Sequence, residues 1–313
     1  MPELRQPTGT AFALRDPLPW KDLRAIVRAA EGAGYAALFL PEISGRDALV
    51  TLGALAGDTR DLLLGTGIVP MRSRTLLLLG MAAATVHEGS GGRLLLGLGT
   101  GGVGAGALDE LRETVLGLRA LLSGEGVVRS GESLRLALDP GSPTPIWISA
   151  LGPKAMRLAG EVADGVLLNW CPPERMAFAR ERIAEGAESR GRDPGEVTVA
   201  VYVRSWVGRD EAAAIAALKA AAGQYASYPA YARQFEEVGL GGPARAAAEA
   251  YRGDRVNDVP ESLVRAVCAI GDAAADRLGA YRAAGADLPV VYPVSAGDPA
   301  PSIEGTLLEL APA

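Results

Sequence analysis

The chain has 313 residues, 49% of them hydrophobic and 22% charged, with a formal net charge of -6. That composition excludes a disordered chain, and the acidic balance argues against a nucleic-acid partner, which would call for a basic face. Two cysteines, Cys171 and Cys268, are too few for a disulfide framework and are expected as reduced thiols, while the single histidine, His87, excludes multi-histidine metal sites.

Residues 1–10 carry no apolar stretch of the secretory kind. The longest apolar run, 75–86, is shorter than the ~20 residues of a membrane-spanning helix. A cytoplasmic protein with no membrane partner is therefore expected. Residues 10–14 read as a first short strand. Leu23, Ile26, Val27 and Ala30 recur at helical spacing until Gly32 and Gly34 stop the helix. A second strand at 36–40 precedes a helix at 46–56, and a third at 62–69 precedes a helix at 74–87. The fourth strand, 93–98, leads through a glycine-rich turn to a helix at 107–122. These strands lack strict alternation, which marks strands buried on both faces, as in parallel sheets.

A hairpin excursion is expected at 124–139. The alternation resumes with a strand at 145–150, a helix at 153–161, a strand at 165–170 and a helix at 173–190. A strand at 197–207 follows, then a helix from about Asp210, a long and mainly helical stretch, and a last strand at 288–294. Helices must cover such a sheet, whether doubly wound or closed. Eight strands is the number that closes a (β/α)8 TIM barrel. No linker splits the chain, so 1–313 reads as one domain with the hairpin at 124–139 and a helical insertion at 222–261.

Several strand ends carry chemistry-bearing residues, and in a barrel the C-terminal strand ends form the face where active sites are built. Gly65 and Gly67 close the third strand; Gly97, Gly99, Gly101 and Gly102 close the fourth. Missing side chains there let a flat ligand or a phosphate approach the backbone, or simply permit tight turns. Gly97, Gly99 and Gly102 match a dinucleotide fingerprint, but no helix opens at once after them. Ile148-Ser149-Ala150-Leu151-Gly152-Pro153-Lys154-Ala155 runs a strand into a helix with proline at its first position. The free N–H groups of that helix end, with Lys154, form a phosphate candidate; the alternative is a plain turn with a solvated lysine. Glu42 follows the second strand directly, placed for proton transfer or ligand orientation.

His87 falls at the opposite, lower face and reads as structural. Trp170 and Cys171 end the sixth strand, and Tyr202, Arg204 and Trp206 alternate along the seventh, as pocket walls or as packing. In the insertion, Tyr225, Tyr228, Tyr231 and Phe235 form one aromatic stripe if the segment is a single helix. The run Gly239-Leu240-Gly241-Gly242-Pro243 is a hinge candidate within a lid.

Taken in order, Ala33-Gly34-Tyr35, Leu64-Gly65-Thr66-Gly67-Ile68, Ser90-Gly91-Gly92-Arg93-Leu94-Leu95-Leu96-Gly97-Leu98-Gly99, Gly152-Pro153-Lys154-Ala155 and Leu158-Ala159-Gly160-Glu161-Val162-Ala163-Asp164-Gly165-Val166 resemble the bacterial luciferase-like superfamily of flavin and deazaflavin oxidoreductases. The ordered set carries the resemblance, rather than any one motif. It is most similar to the branch that includes methylenetetrahydromethanopterin reductase, which uses coenzyme F420. The resemblance implies a (β/α)8 barrel with the deazaflavin at the strand C-termini and a non-proline cis peptide at Gly67-Ile68 behind the ring. It also implies that Gly99, Thr100 and Gly101, together with Ala150, Gly152, Pro153, Lys154 and Ala155, hold the phosphate-bearing side chain.

Two proton-transfer groups frequent in relatives are replaced here, by Ile43 and Ser44 after the second strand and by Gly102 after the fourth. Glu42 therefore stands as the candidate proton donor or orienting carboxylate. The function expected is hydride transfer between coenzyme F420 and a small organic substrate, by a homodimer. An FMN-dependent monooxygenase and a non-catalytic deazaflavin-binding protein are the alternatives.

Overall fold

A computed structural model describes residues 8–15, 18–101, 104, 106–129 and 131–312. Its main sheet consists of β1 (Ala11–Ala13), β2 (Ala37–Leu40), β3 (Leu63–Thr66), β4 (Leu94–Gly99), β5 (Ile146–Ala150), β6 (Gly165–Asn169), β7 (Thr198–Trp206) and β8 (Leu288–Pro293). Each strand pairs in parallel with the next. The pairing of Ala11 with Val290 and Phe12 with Val291 closes β8 onto β1. The fold is the expected (β/α)8 barrel. Alternate strand residues face the interior, among them Phe39, Leu95, Trp147, Leu167, Tyr202 and Val290. Their neighbours Leu38, Leu94, Ile148, Val166 and Val291 pack outward under the helices. Both rows are buried, which is why no polar alternation is written into these strands.

The helices α1 (Trp20–Gly32), α2 (Ala48–Leu55), α3 (Leu76–Gly89), α4 (Ala107–Leu122), α5 (Pro153–Val162) and α6 (Met176–Glu188) follow β1 to β6 in turn. An insertion after β7 holds α7 (Glu211–Ala226), α8 (Pro229–Glu236), α9 (Gly241–Arg252) and α10 (Glu261–Val267). The chain then returns through a two-residue strand, Ala269–Ile270, beside Ser205 and Trp206. The helices α11 (Ala274–Ala283) and α12 (Pro299–Glu309) flank β8 in the chain. The hairpin pairs Val127–Arg129 with Glu132–Leu134.

Several expectations are corrected. The third strand breaks after Thr66 at a cis Gly67-Ile68 bond, and Val69–Pro70 resumes pairing against β4. The helical insertion is longer than 222–261, starting at Glu211 and running to Val267. Its aromatic stripe is not on one helix: the chain leaves α7 after Ala226, and Pro229 opens α8, because a proline disfavours helical conformation in the residue before it. Gly239, at φ +80, ends α8 and Gly241 begins α9, so this glycine run punctuates two helices. Gly97 and Gly99 lie within β4 and α4 opens only at Ala107, so a dinucleotide fingerprint is absent; Gly102 lies outside the described residues.

At the lower face, Glu31 Oε1 accepts from the backbone N–H groups of Arg60, Asp61 and Leu62 at 2.8, 2.9 and 2.9 Å. Burial raises its pKa, but those three donors and Arg93 together bring it below the usual carboxylate value. Glu31→Ala should destabilise the barrel by about 1 kcal/mol at neutral pH, because it removes three backbone hydrogen bonds to one carboxylate oxygen, two of them exposed to water. A lowered folded pKa means that this stabilisation is complete above the unfolded value of ~4.3 and is lost as pH falls through the folded one. Urea unfolding of both proteins at pH 7 and pH 3 checks this. The gap between them should narrow in acid.

Candidate active site at the barrel mouth

At the top of β3 the cis bond turns Ile68 over the barrel interior, where it packs against the inward side chains. The turn is held from three sides. Gly67 N donates to Leu40 O at 2.8 Å, Tyr202 Oη donates to Gly67 O at 3.2 Å, and Glu42 N donates to Ile68 O at 3.2 Å. A Cβ on Gly99 would stand 2.7 Å from Ile68 Cδ1 and from Ser149 Oγ, and one on Gly101 would stand 2.7 Å from Pro70 Cβ. Glycine at 99 thus lets Ile68 and Ser149 close on the end of β4, and glycine at 101 lets the chain pass Pro70.

Beside this patch, Ala150 ends β5 and Gly152 caps α5 without a side-chain hydrogen bond. Proline at the first helical position has no N–H, and the next two N–H groups, of Lys154 and Ala155, point out of the helix end uncapped. No atom lies within 4 Å of where a Gly152 Cβ would be. Lys154 is exposed and makes no ion pair among the described residues. Thr100 and Lys154 line one cleft of about 570 Å³ between α4 and α5. The predicted positions therefore fall in two adjoining patches on one side of the mouth. Gly67, Ile68 and Gly99 form the floor; Thr100, Gly101 and the turn 150–155 form the edge. An open helix N-terminus with a cation unpaired among the described residues, next to the Ile68 wall, fits a planar ring carrying an anionic tail.

Lys154→Ala is expected to weaken binding of a phosphate-bearing ligand at this helix end by about 1.5–3 kcal/mol at low salt, less at high salt, with no change in Tm. Parallel titrations at two ionic strengths check this; unchanged affinity at low salt contradicts it.

Glu42 sits differently from a free acid. Arg74 clamps both carboxylate oxygens at 2.6 and 2.8 Å, and Ala48 N donates to Oε2 at 3.1 Å. Hydrogen bonding to Glu42 in turn holds the Arg74 guanidinium well above its ordinary pKa. With both oxygens engaged, the geometry suits the orienting role: Glu42 fixes the loop that holds Ile68.

The far side of the mouth belongs to β6, β7 and the insertion. Arg204, one inward step above Tyr202, places its guanidinium 4.4 Å from the Tyr292 ring, 4.6 Å from Trp170 and 5.5 Å from Tyr225. It donates to Asn169 Oδ1, and Asn169 Nδ2 donates to Tyr231 Oη at 2.8 Å. Trp170 adopts φ +51, an uncommon conformation for a bulky side chain. Sequence reading names Arg204 and Trp170 as wall candidates but not Asn169, whose signal is only its place at a strand end, and not the Asn169–Tyr231 contact. Of the stripe, Phe235 is buried in the insertion's own core, Tyr225 and Tyr231 close on the mouth, and Tyr228 is exposed. Burial pushes the Cys171 thiol up to about 11 and Cys268 up to about 12, so neither is a ready nucleophile. His87 is buried away from this face, its Nε2 2.8 Å from Ser142 Oγ.

Comparison with known proteins places these features in context. A family model described as luciferase-like monooxygenase matches residues 5–288. A 5,10-methylenetetrahydromethanopterin reductase of Methanolobus tindarius is 34% identical over 221 residues, 66% of this chain and 67% of that protein. An F420-dependent hydroxymycolic acid dehydrogenase of Mycobacterium tuberculosis is 32% identical over 189 residues, and the match spans 54% of this chain and about half, 51%, of that protein. Among solved structures, a coenzyme F420-dependent tetrahydromethanopterin reductase from Methanopyrus kandleri superposes with a TM-score of 0.79 at 23% identity, covering 98% of each chain.

Proposed function

The chain belongs to the luciferase-like monooxygenase family, and from that premise we propose that it is a coenzyme F420-dependent oxidoreductase acting on a small organic substrate. The observation that carries this reading is the adjacency of two features on one side of the mouth. One is the Ile68 wall, seated directly on Gly99; the other is the uncapped α5 end with Lys154, which makes no ion pair among the described residues. When bound, the deazaflavin supplies a ring carbon that gives or takes a hydride. The protein's own part is to back the ring with Ile68, to hold the anionic tail at Thr100, Gly101 and residues 150–155, and to keep water from the mouth.

The same cradle accommodates FMN, and a monooxygenase is the second reading. Oxygen uptake separates them, because a reduced flavin reacts readily with oxygen and a reduced deazaflavin does not. Substrate-dependent oxidation or reduction of F420 without oxygen uptake supports the first reading; oxygen uptake with reduced FMN supports the second. The lack of a histidine after β2 and the clamped state of Glu42 favour a third, a deazaflavin-binding protein without turnover. Tight F420 binding with no turnover across ketones, alcohols and imines would favour it.

The assembly we propose is a cytoplasmic homodimer. Val50, Leu78, Met81 and Leu116 are exposed on the outer faces of α2, α3 and α4, apolar surface suited to a second copy. Among the described residues no helix is long and apolar enough to cross a membrane. Sedimentation at micromolar concentration tests the dimer, and a Met81→Lys variant should shift it toward monomer.

A further inference from the structure

Three arginines, Arg93, Arg175 and Arg204, are each no more than 5% exposed. Burying a guanidinium is costly unless its charge and its five donors find partners. Arg93 donates to the carbonyls of Ala56, Leu62 and Ser90 and to the Thr59 hydroxyl. Arg175 pairs with Glu237 at 2.8 Å and donates to Leu151 O and Gln234 Oε1. Arg204 makes one hydrogen bond, to the neutral Asn169 amide, and no ion pair among the described residues. Three aromatic faces offset part of its charge, but most of its donors have no acceptor.

Two more donors beside it are in the same condition. Trp170 is 1% exposed and its Nε1 has no hydrogen-bond partner. Tyr231 Oη receives a hydrogen from Asn169, which leaves its own O–H to be given elsewhere, and burial raises its pKa to about 12, so the phenol keeps that proton at neutral pH. No carboxylate is paired within this cluster among the described residues. A full positive charge and two further donors therefore lie together with no carboxylate paired to them among the described residues.

The register fixes that position. Tyr202 reaches across the barrel to Gly67 O, and Arg204 is the next inward residue of β7 toward the mouth. The cluster thus faces Gly67 and Ile68, the patch assigned to the ring, across the opening, while its β6 members stand beside the end of β5. We propose that Arg204, with Trp170 and Tyr231, binds a carboxylate carried by the substrate, so that this enzyme acts on small organic acids rather than on neutral compounds. The proposal rests on the cofactor reading above for which side of the mouth the substrate occupies. Asn169 holds the Tyr231 phenol and the guanidinium in one relation; it is a positioning residue.

The test uses cofactor-free protein, with isobutyrate and its neutral isostere isobutyramide as probes, read by calorimetry and by thermal shift. Isobutyrate should bind the wild-type protein at least about 10-fold more tightly than the amide and should raise Tm, since a ligand that binds only the folded state stabilises it. Arg204→Gln should weaken isobutyrate binding about 10- to 100-fold and remove the preference, the usual effect of losing a charge-assisted hydrogen bond. Arg204→Lys, which keeps the charge and guards against misreading a folding defect, should retain part of the preference, and Tyr231→Phe should lose several-fold. Equal affinity for acid and amide in the wild-type protein, or an unchanged isobutyrate affinity in a folded Arg204→Gln, overturns the proposal. F420 titration of the same samples is read separately. Intact F420 binding with no acid preference rejects the carboxylate site alone, whereas failure of the wild-type protein to bind F420 rejects the cofactor reading on which it rests.

Discussion

Gly67→Ala should cost about 3 kcal/mol or more in stability and abolish cofactor binding with it. A Cβ at Gly67 points into the barrel. There it overlaps the Tyr202 hydroxyl outright and stands 3.0 Å from Tyr202 Cζ and 3.2 Å from Phe39 Cβ. Overfilling a close-packed interior typically costs 1–3 kcal/mol, and here it also breaks the buried Tyr202–Gly67 hydrogen bond, worth about 1 kcal/mol. Gly67→Val, with a branched side chain, should be worse. The mechanism predicts a specific coupling: Tyr202→Phe removes the oxygen in the way, so the double variant Gly67→Ala/Tyr202→Phe should recover part of the lost stability. Urea unfolding of the four proteins decides it. Strictly additive losses would show that the clash is not with that hydroxyl.

Gly186→Ala is expected to have an effect of the same order from a place far from the mouth. α5 and α6 approach so closely that a Cβ on Gly186 overlaps Arg157 O and lies 2.7 Å from its carbonyl carbon. One on Gly160 overlaps Ile183 O and lies 2.6 Å from Ala187 N. These obstacles are backbone, so no rotamer change relieves them and the helices must part. A loss of about 3 kcal/mol or more follows. Because α5 carries Gly152 and Lys154 at its start, its displacement should also reduce F420 affinity in whatever fraction remains folded. A Gly186→Ala protein with wild-type Tm would contradict the packing; one that is destabilised yet binds F420 with unchanged affinity would mean α5 keeps its N-terminus in place.

The barrel was legible because its physics is periodic. Eight apolar runs, each followed by an amphipathic stretch, leave few alternatives once both strand faces must be covered. α4 occupies 107–122, as read from the sequence. What stayed illegible depends on contacts distant in sequence. The bounds of α8, α9 and α10 are not legible, since these helices bury their apolar residues against one another, α7 and a few strand residues such as Trp206, contacts distant in sequence. α12 was not read at all: it opens on Pro299 and Pro301 after the last strand, and Tyr35 Oη, donating to Leu307 O at 2.9 Å, ties it to the start of the chain. The glycine motifs were visible, but their reasons divide. Gly99 and Gly101 admit Ile68 and Pro70 at the mouth, whereas Gly160 serves helix packing and Gly97 a close strand approach to Thr66. The cis bond at Gly67-Ile68 followed only from the family resemblance, and nothing in composition or spacing announces it. Arg204 was visible as an inward residue, but its want of an acceptor is a property of the folded mouth.

The most direct test of the account is a side-by-side titration of the purified protein with F420 and with FMN, followed by tryptophan quenching, with Lys154→Ala as the paired variant. F420 binding should be saturable, tighter than FMN binding, reduced by added salt, and weakened by Lys154→Ala in the low-salt samples. Tighter binding of FMN, or no saturable binding of either compound, would contradict it.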